Sequence, residues 1–562
     1  PLLDFCCEVY TAYQRRLVSR SAVDFDDLIQ LALQALQSDP AFLQRLQQRW
    51  PFILEDEAQD STRLQEEVLR TLCGADGNWV RVGDPNQAIN ETFTTASPKF
   101  LRNFLTEPGV VARNLPESGR SAGKIRQLAN FIIRWTMEDH PVPELRQALT
   151  VPFIQPPPPG DRQAVHAAQS GQVYIHFKPL TPEKEVELVI NNIRSWREKP
   201  GNADKTVVIL ASSNGRGMRF VDALQKAKIP HIEILKNTQR YRSTLETIEA
   251  ALTYLARPDS RTLEDLYKKV RGKAFDHPDT QAACKTAARL IQSCTRLEEY
   301  LSPRSGQDWL EKLRSSTQAD VFAELAEFRA LVSRWHAAVL LPIDQTVMTL
   351  AQDLFTPRAG QPEPNRDFMV DLALCERIAR LLEKTAEQNP SFNLGDFADR
   401  LRALKRTTAL NRFGDDEFGF NPRDHCGEVV VTTIHKAKGL EWDRVYLTSA
   451  NTFDFPSLQP NDRYQSERGT RGRLNLEAEV LEKLAALMSD SPDVPGLYLE
   501  DGAASLQART EYCNERLRLF YVAITRACSE LMISYNTGRK RGNLGPCLPL
   551  VAAKSFLDQA DS

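Results

Sequence analysis

Leu54-Glu55-Asp56-Glu57-Ala58-Gln59-Asp60 places a run of acids directly behind the apolar stretch Phe52-Ile53-Leu54. Carboxylates at the end of a buried strand can hold a magnesium ion on triphosphate oxygens and polarise a water for attack. The same residues also read as a solvated strand-to-helix turn, with Asp60 or Ser61 capping the next helix, and the cluster alone leaves both readings open. Gly83-Asp84-Pro85-Asn86-Gln87-Ala88-Ile89 follows a second short strand. It offers Gln87 as a reporter of a γ-phosphate, though by itself it is an ordinary Asp-Pro turn. Two more clusters lie far downstream, Thr432-Thr433-Ile434-His435-Lys436-Ala437-Lys438-Gly439-Leu440-Glu441-Trp442 and Arg518-Leu519-Phe520-Tyr521-Val522-Ala523-Ile524-Thr525-Arg526-Ala527. Any one of the four is compatible with chance; the four in this order are not.

The elements that position these clusters follow from periodicity. Phe25, Leu28, Ile29, Leu33 and Leu36 recur at helical spacing, and Asp39-Pro40 reads as an N-cap followed by proline at the first helical position, starting a helix that ends near Trp50-Pro51. Residues 52–54 form a short buried strand, Leu64, Val68, Leu69 and Leu72 mark a helix, and residues 79–82 a second strand. Strand, polar loop, helix, strand is the grammar of a parallel α/β sheet with ligands at the strands' carboxyl ends. The proline run 156–159 opens a polar spacer to about residue 172, and strands resume at 173–177 and 206–210. Residues 243–424, with 322–341 as an example, show helical patterns almost only. The α/β grammar then returns at 428–433, 445–448 and 531–535. No repeat of solenoid period is present.

On these residues the chain resembles the UvrD/Rep/PcrA-like superfamily 1 helicases. The four clusters stand as that family's motifs II, III, V and VI, Ser118-Gly119-Arg120-Ser121 stands at motif IV, and Asp24-Phe25-Asp26-Asp27-Leu28 resembles the segment before motif II. The resemblance runs from about residue 24 to 535. It implies an α/β fold of two RecA-like parallel-sheet motor domains, the first incomplete, with an all-α insertion in the second. The expected boundaries are 1–115 for the first motor, 116–242 and 427–562 for the two segments of the second, and 243–426 for the insertion. It also implies ATP and Mg2+ as cofactors. Asp56 would hold the metal, Glu57 would orient or deprotonate the attacking water, and Gln87 would couple the γ-phosphate to nucleic acid. Arg120 and Arg526 would act as arginine fingers. Gly439 and Glu441 would meet the nucleotide, with Glu441 on the ribose, and Thr433 and His435 would face the single strand.

Departures from the family pattern shape the expectation. Gly119 replaces the aromatic residue that stacks on adenine, which relaxes base preference. The motif III aromatics fall on Asn90 and Thr92, leaving Phe93 as the nearest stacking side chain; stacking contributes about 1–3 kcal/mol per base. No GxxxxGK[ST] loop occurs, and Gly119-Arg120-Ser121-Ala122-Gly123-Lys124-Ile125 has the wrong spacing and no hydroxyl after its lysine. The chain opens on Pro1 rather than Met, so a truncated amino end is expected, with the phosphate loop upstream and this chain alone inactive. Residues 455–508 form a long connection carrying Arg468, Arg471 and Arg473, which reads either as a phosphate contact or as a solvated surface insertion; Arg539-Lys540-Arg541 has the same two readings. No acidic nuclease cluster stands near the end.

Composition narrows the class without choosing it. The 562 residues are 42% hydrophobic and 26% charged, with 71 Lys plus Arg against 74 Asp plus Glu, so well-filled cores are allowed and no global positive field advertises a polyanion. No stretch approaches the roughly 18 apolar residues of a membrane span, and the ten cysteines show no CxxC spacing, which fits reduced thiols in a cytoplasmic protein. The reading is an ATP-dependent 3′–5′ DNA helicase and translocase on single strands and duplex junctions, in repair or recombination. The alternative is an ATPase-inactive nucleic-acid-binding or scaffold relative without a phosphate loop.

Overall fold

The computed structural model describes every residue except 1, 20–21, 75–76, 90–95, 159, 162–165, 167–168, 236–237, 273–277, 356–365, 406–419, 461, 468–473, 488–501, 539–543 and 561–562. Asn90, Thr92, Phe93, the three arginines of the 455–508 connection and Arg539-Lys540-Arg541 lie outside the described residues. The chain divides into two compact units, one made of 1–235 with 420–562 and the other of 236–419.

The first unit holds two sheets. β1 (Phe52–Glu55) and β2 (Asn78–Arg81) pair in parallel, joined by the helix Arg63–Cys73. Its N-cap is neither Asp60 nor Ser61. Thr62 accepts from Gln65 N while the Gln65 side chain returns to Thr62 N, a reciprocal capping box that leaves Asp60 to pair elsewhere. A parallel sheet is ordinarily covered on both faces, yet here Phe52 is 66% and Leu54 78% exposed, with Val80 and Val82 also exposed. Beside them Leu46, Trp50, Ile53, Leu69 and Leu72 line a shallow apolar hollow.

The second sheet has six strands, all pairs parallel, in the order β3-β8-β7-β4-β6-β5. They are β3 (Gln172–Leu180), β4 (Val207–Ala211), β5 (His231–Ile234), β6 (Val429–Thr433), β7 (Trp442–Leu447) and β8 (Ala527–Asn536). β4 is buried along its whole length because helices cover both of its faces, which is why it reads as an unbroken apolar run. Val208, Leu210, Val430, Val445 and Leu531 pack on one side with Ile125, Ile132 and Phe520, while Val207, Ile209, Val429, Val431 and Met532 pack on the other with Ile193, Trp196 and Phe220. The buried Glu185, from the helix Pro182–Arg197, accepts from Ser449 N (2.9 Å), Ser534 Oγ (2.7 Å) and Asn536 Nδ2 (2.5 Å), tying that helix to the ends of β7 and β8.

The 236–419 unit is helical among its described residues, from Thr238–Ala256 to Leu394–Lys405. It enters the chain between β5 and β6, which are neighbours in the sheet. Its core gathers Tyr254, Tyr267, Tyr300, Phe328 and Trp335. Tyr300 OH donates to Leu325 O (2.7 Å), so the phenol's polar tip is satisfied inside an apolar core.

His140 and His336 are held below their ordinary value of 6.5, chiefly by burial. A histidine that folds neutral binds fewer protons than it does unfolded, so stability rises with pH through the window between the lowered folded value and 6.5. Acidification below 6.5 is therefore expected to destabilise the protein. Urea midpoints at successive pH values below neutrality should fall, and His140→Gln, in the Trp135 contact (5.0 Å between rings), should flatten part of that fall.

Candidate nucleotide site at the junction of the two sheets

β1 delivers its acids into a turn of unusual backbone. Glu57 has φ 53°, the left-handed region that costs a non-glycine residue on the order of 1 kcal/mol and more, and such residues cluster at functional sites. The reversal puts Glu57 at the head of the 3-10 turn Ala58–Asp60. Asp56 is exposed, and its Oδ1 accepts from Glu57 N at 2.9 Å. Glu57 Oε2 receives the side-chain amide of Gln59, which is 1% exposed and whose own Oε1 accepts from Asp84 N at 2.9 Å. Asp84 Oδ2 in turn accepts from Gln87 Nε2 at 2.9 Å. One hydrogen-bonded chain thus runs from Glu57 through Gln59 and Asp84 to Gln87, stitched below by Val82 N to Glu55 O (2.8 Å) and Ala58 N to Val82 O (2.9 Å).

Gly83 is needed for this approach. A Cβ there would lie 2.5 Å from Gln59 Oε1 and 3.1 Å from Ala58 N. Gly83→Ala is expected to push Gln59 off both partners, costing about 1–3 kcal/mol of stability in a denaturant titration.

The second sheet's block supplies the opposing groups. Arg120, one-third exposed, pairs through Nε with Glu441 Oε2 at 2.7 Å, and Glu441 Oε1 lies 3.7 Å from Arg423. Gly439, φ 79°, makes the turn ahead of Glu441. Arg526 is fully buried at the head of β8. It donates from Nη1 to Leu440 O (3.0 Å), from Nε to Val522 O (3.2 Å) and from Nη2 to Thr525 Oγ1 (3.2 Å). Burial, then the neighbouring Arg120 charge, lowers its guanidinium to about 10, still protonated near neutrality. Asp84, Glu441 and the Tyr521 phenol also act on it, so groups from both sheets share one electrostatic neighbourhood.

Direct bonds join the two blocks. Lys438 Nζ donates to Asp60 Oδ2 at 2.6 Å and lies 3.2 Å from Glu57 Oε2. Asn86, buried, donates to Thr150 O (2.7 Å) and accepts from Thr150 N (2.8 Å), and Arg518 Nε donates to Ala88 O at 2.6 Å. The turn carrying Gln87 is therefore held on both sides by the second block.

Thr433 ends β6, half-buried, and His435 Nε2 stands 3.9 Å from Glu515 Oε1, a carboxylate with no exposed surface. Sequence reasoning assigned no role to Gln59, Asp84, Lys438, Arg423 or Tyr521. All but Arg423 lie within the motifs quoted above, and only Gln59, two residues from Glu57, carries a local hint.

The donor set can be tested against the expected metal. Mg2+ usually keeps several waters and takes one or two carboxylates plus substrate phosphates. Asp56 offers one exposed carboxylate, which fits that habit. Among the described residues no group of three or more His, Cys, Asp or Glu is placed to hold a metal by itself.

Comparison with known proteins places these features in context. The model of the UvrD/REP helicase N-terminal domain matches residues 1–108, and that of the UvrD-like helicase C-terminal domain matches residues 120–538. An ATP-dependent DNA helicase PcrA of Leuconostoc citreum is 25% identical over 468 residues, covering 82% of this chain and 57% of the relative. A DNA helicase II of Haemophilus influenzae is 25% identical over 542 residues, 95% of this chain and 62% of the relative. A DNA helicase II of Escherichia coli is 25% identical over 477 residues, 82% of this chain and 59% of the relative. The chain thus spans about three-fifths of the length of these curated relatives.

Proposed function

The chain belongs to the UvrD-like helicase family, and on that premise we propose that it serves in an ATP-driven translocase and helicase acting on single-stranded DNA and duplex junctions. The observation that carries the reading is the junction itself. Asp56, Glu57 and Gln87 from one sheet meet the neighbourhood of Arg120, Glu441 and Arg526 from the other, bridged by the Lys438 ion pair.

Asp56 would hold Mg2+, which when bound neutralises charge on the β- and γ-phosphates. Glu57 would take a proton from the attacking water, its orientation set by Gln59. Gln87 would report the γ-phosphate through Asp84. Arg120 would leave Glu441 for the transferring phosphoryl group, and Glu441 would meet the ribose. Arg526, fixed by three bonds, would tie the end of the helix Ala503–Thr525 to the turn at Leu440 and add a fixed positive charge near that group. Thr433 and His435 would face the strand.

The exposed apolar face of β1 and β2 supports a first motor whose sheet is completed by further parallel strands, and the phosphate-cradling loop would come with them, since the 562 residues contain no GxxxxGK[ST]. Base preference would be relaxed at Gly119. The setting would be cytoplasmic DNA repair or recombination. The test is unwinding by the protein as its source cell makes it, on duplexes with a 3′ or a 5′ single-stranded tail. ATP-dependent unwinding of the 3′-tailed substrate is expected, and failure on both would count against the reading.

The missing phosphate loop also favours a second reading, a nucleic-acid-binding relative that does not hydrolyse ATP. DNA binding without ATP binding by that same protein would select it.

A further inference from the structure

We propose that Phe453, in the loop after β7, is a platform on which a base of the bound single strand stacks. This rests on the translocase reading and adds to it a contact with the base rather than with the backbone. Among residues 449–457 Phe453 alone is exposed, at 38%, while Ser449, Ala450, Asn451, Phe455 and Ser457 are buried. A single exposed apolar side chain is ordinary on a protein surface. The mounting of this one, and its place, are not.

The mounting is rigid. Ala450 N donates to Ser534 O, Thr452 N to Gly545 O and Cys547 N to Ala450 O, each at 3.0 Å, so β8 and the segment beyond it hold the loop. Asn451 then sets the turn, its Oδ1 accepting from Phe453 N (3.0 Å) and Asp454 N (3.1 Å) and its carbonyl from Phe455 N (3.0 Å). Phe455 meets Phe520 edge-on, ring centroids 5.5 Å apart, and Asp454 bonds to Ser212 Oγ (2.9 Å) and Arg216 (2.8 Å). With Asp454 and Phe455 turned inward, the Phe453 ring is held in solvent. A ring already fixed gives up little freedom when a base lies on it.

The place is the carboxyl end of the parallel sheet, where such folds take their ligands. Ser212 directly follows β4, whose last residue, Ala211, pairs with Thr433 at the end of β6. Through Asp454 and Ser212, Phe453 is thereby tied to the strand end next to Thr433, one of the two residues assigned to the DNA. The Arg516 charge reaches Asp454, and Arg516 also faces the same Glu515 oxygen as His435, the other assigned residue, at 3.8 and 3.9 Å. Every base has a π-face, so a phenyl ring here grips the strand without reading its sequence.

Stacking has a signature that phosphate contacts lack: it needs the base. The test is fluorescence anisotropy of a labelled oligo-dT, and of an abasic oligomer of the same length, with the protein as its source cell makes it. Phe453→Ala is expected to weaken oligo-dT binding at least about fivefold, the lower end of what one stacked base contributes, and to leave abasic binding unchanged. The salt dependence should stay as it was, because no phosphate contact is lost. Phe453→Tyr should bind oligo-dT as the unsubstituted protein does. Phe453→Leu, which keeps an apolar side chain without the ring, should be weakened as well, and it serves if the Ala variant does not fold. Unchanged oligo-dT binding by the Ala or Leu variant overturns the platform and leaves the translocase reading standing, as does an equal loss on the abasic oligomer. Absence of oligo-dT binding by the unsubstituted protein and every variant overturns both.

Discussion

Glu57→Gln, made in the protein as its source cell produces it, is expected to bind ATP as the unsubstituted protein does and to hydrolyse it at least about a hundredfold more slowly, the lower end of what a general base contributes. The substitution is nearly isosteric, and the new amide oxygen can still accept from Gln59, so the chain of bonds to Asp84 and Gln87 should survive. What is lost is the group that takes the proton. Fluorescent-nucleotide titration and phosphate release measured on the same sample separate binding from turnover. Undiminished turnover would remove Glu57 from the role and return the acidic run after β1 to the solvated turn that its sequence equally allows.

The second large effect is a contrast between two arginines. Arg120→Ala is expected to lower turnover by about a thousandfold, the scale of an arginine finger, with stability changed by less than about 1 kcal/mol, since its pair with Glu441 is about one-third exposed on each side. Arg526→Ala should show the reverse balance. Its side chain has no exposed surface, and its removal strips Leu440 O and Val522 O of a donor inside the fold. A loss of about 3–5 kcal/mol is expected from breaking a buried charge's bonding set, seen as a marked drop in melting temperature alongside lost activity. Equal melting temperatures for the two variants would mean that Arg526 is not the structural anchor its bonds describe.

Much of the frame was legible because parallel strands covered on both faces announce themselves as apolar runs. Residues 206–210 and 428–433 read that way; 52–54 reads as a strand from its short apolar run although Phe52 and Leu54 stand exposed, and each of the three strands lies within a residue or two of its place. β5 was missed because His231-Ile232-Glu233-Ile234 sits at the sheet's edge, alternates polar with apolar, and has no run to notice. Asp60 illustrates the other limit. The sequence offers it as one of two caps for the following helix, but Thr62 takes that place and Asp60 instead meets an ammonium 378 residues away. Local pattern carries capping chemistry; it carries no information on which distant loop folds over it.

The same limit separated residue from role at the site. The motifs give Arg526 as a finger with no sign that three bonds bury it, and they contain Lys438 without a reason to single it out. Asn90 and Phe93 lie outside the described residues. Their expected contact with bases stands as a proposal.

If these two sheets bracket a nucleotide whose hydrolysis is driven by single-stranded DNA, turnover must depend on the strand. The steady-state ATP hydrolysis rate of the protein as its source cell makes it, taken with and without oligo-dT, reads this out. Hydrolysis stimulated at least about tenfold by DNA is the expected result, and DNA binding with no hydrolysis under either condition would contradict it.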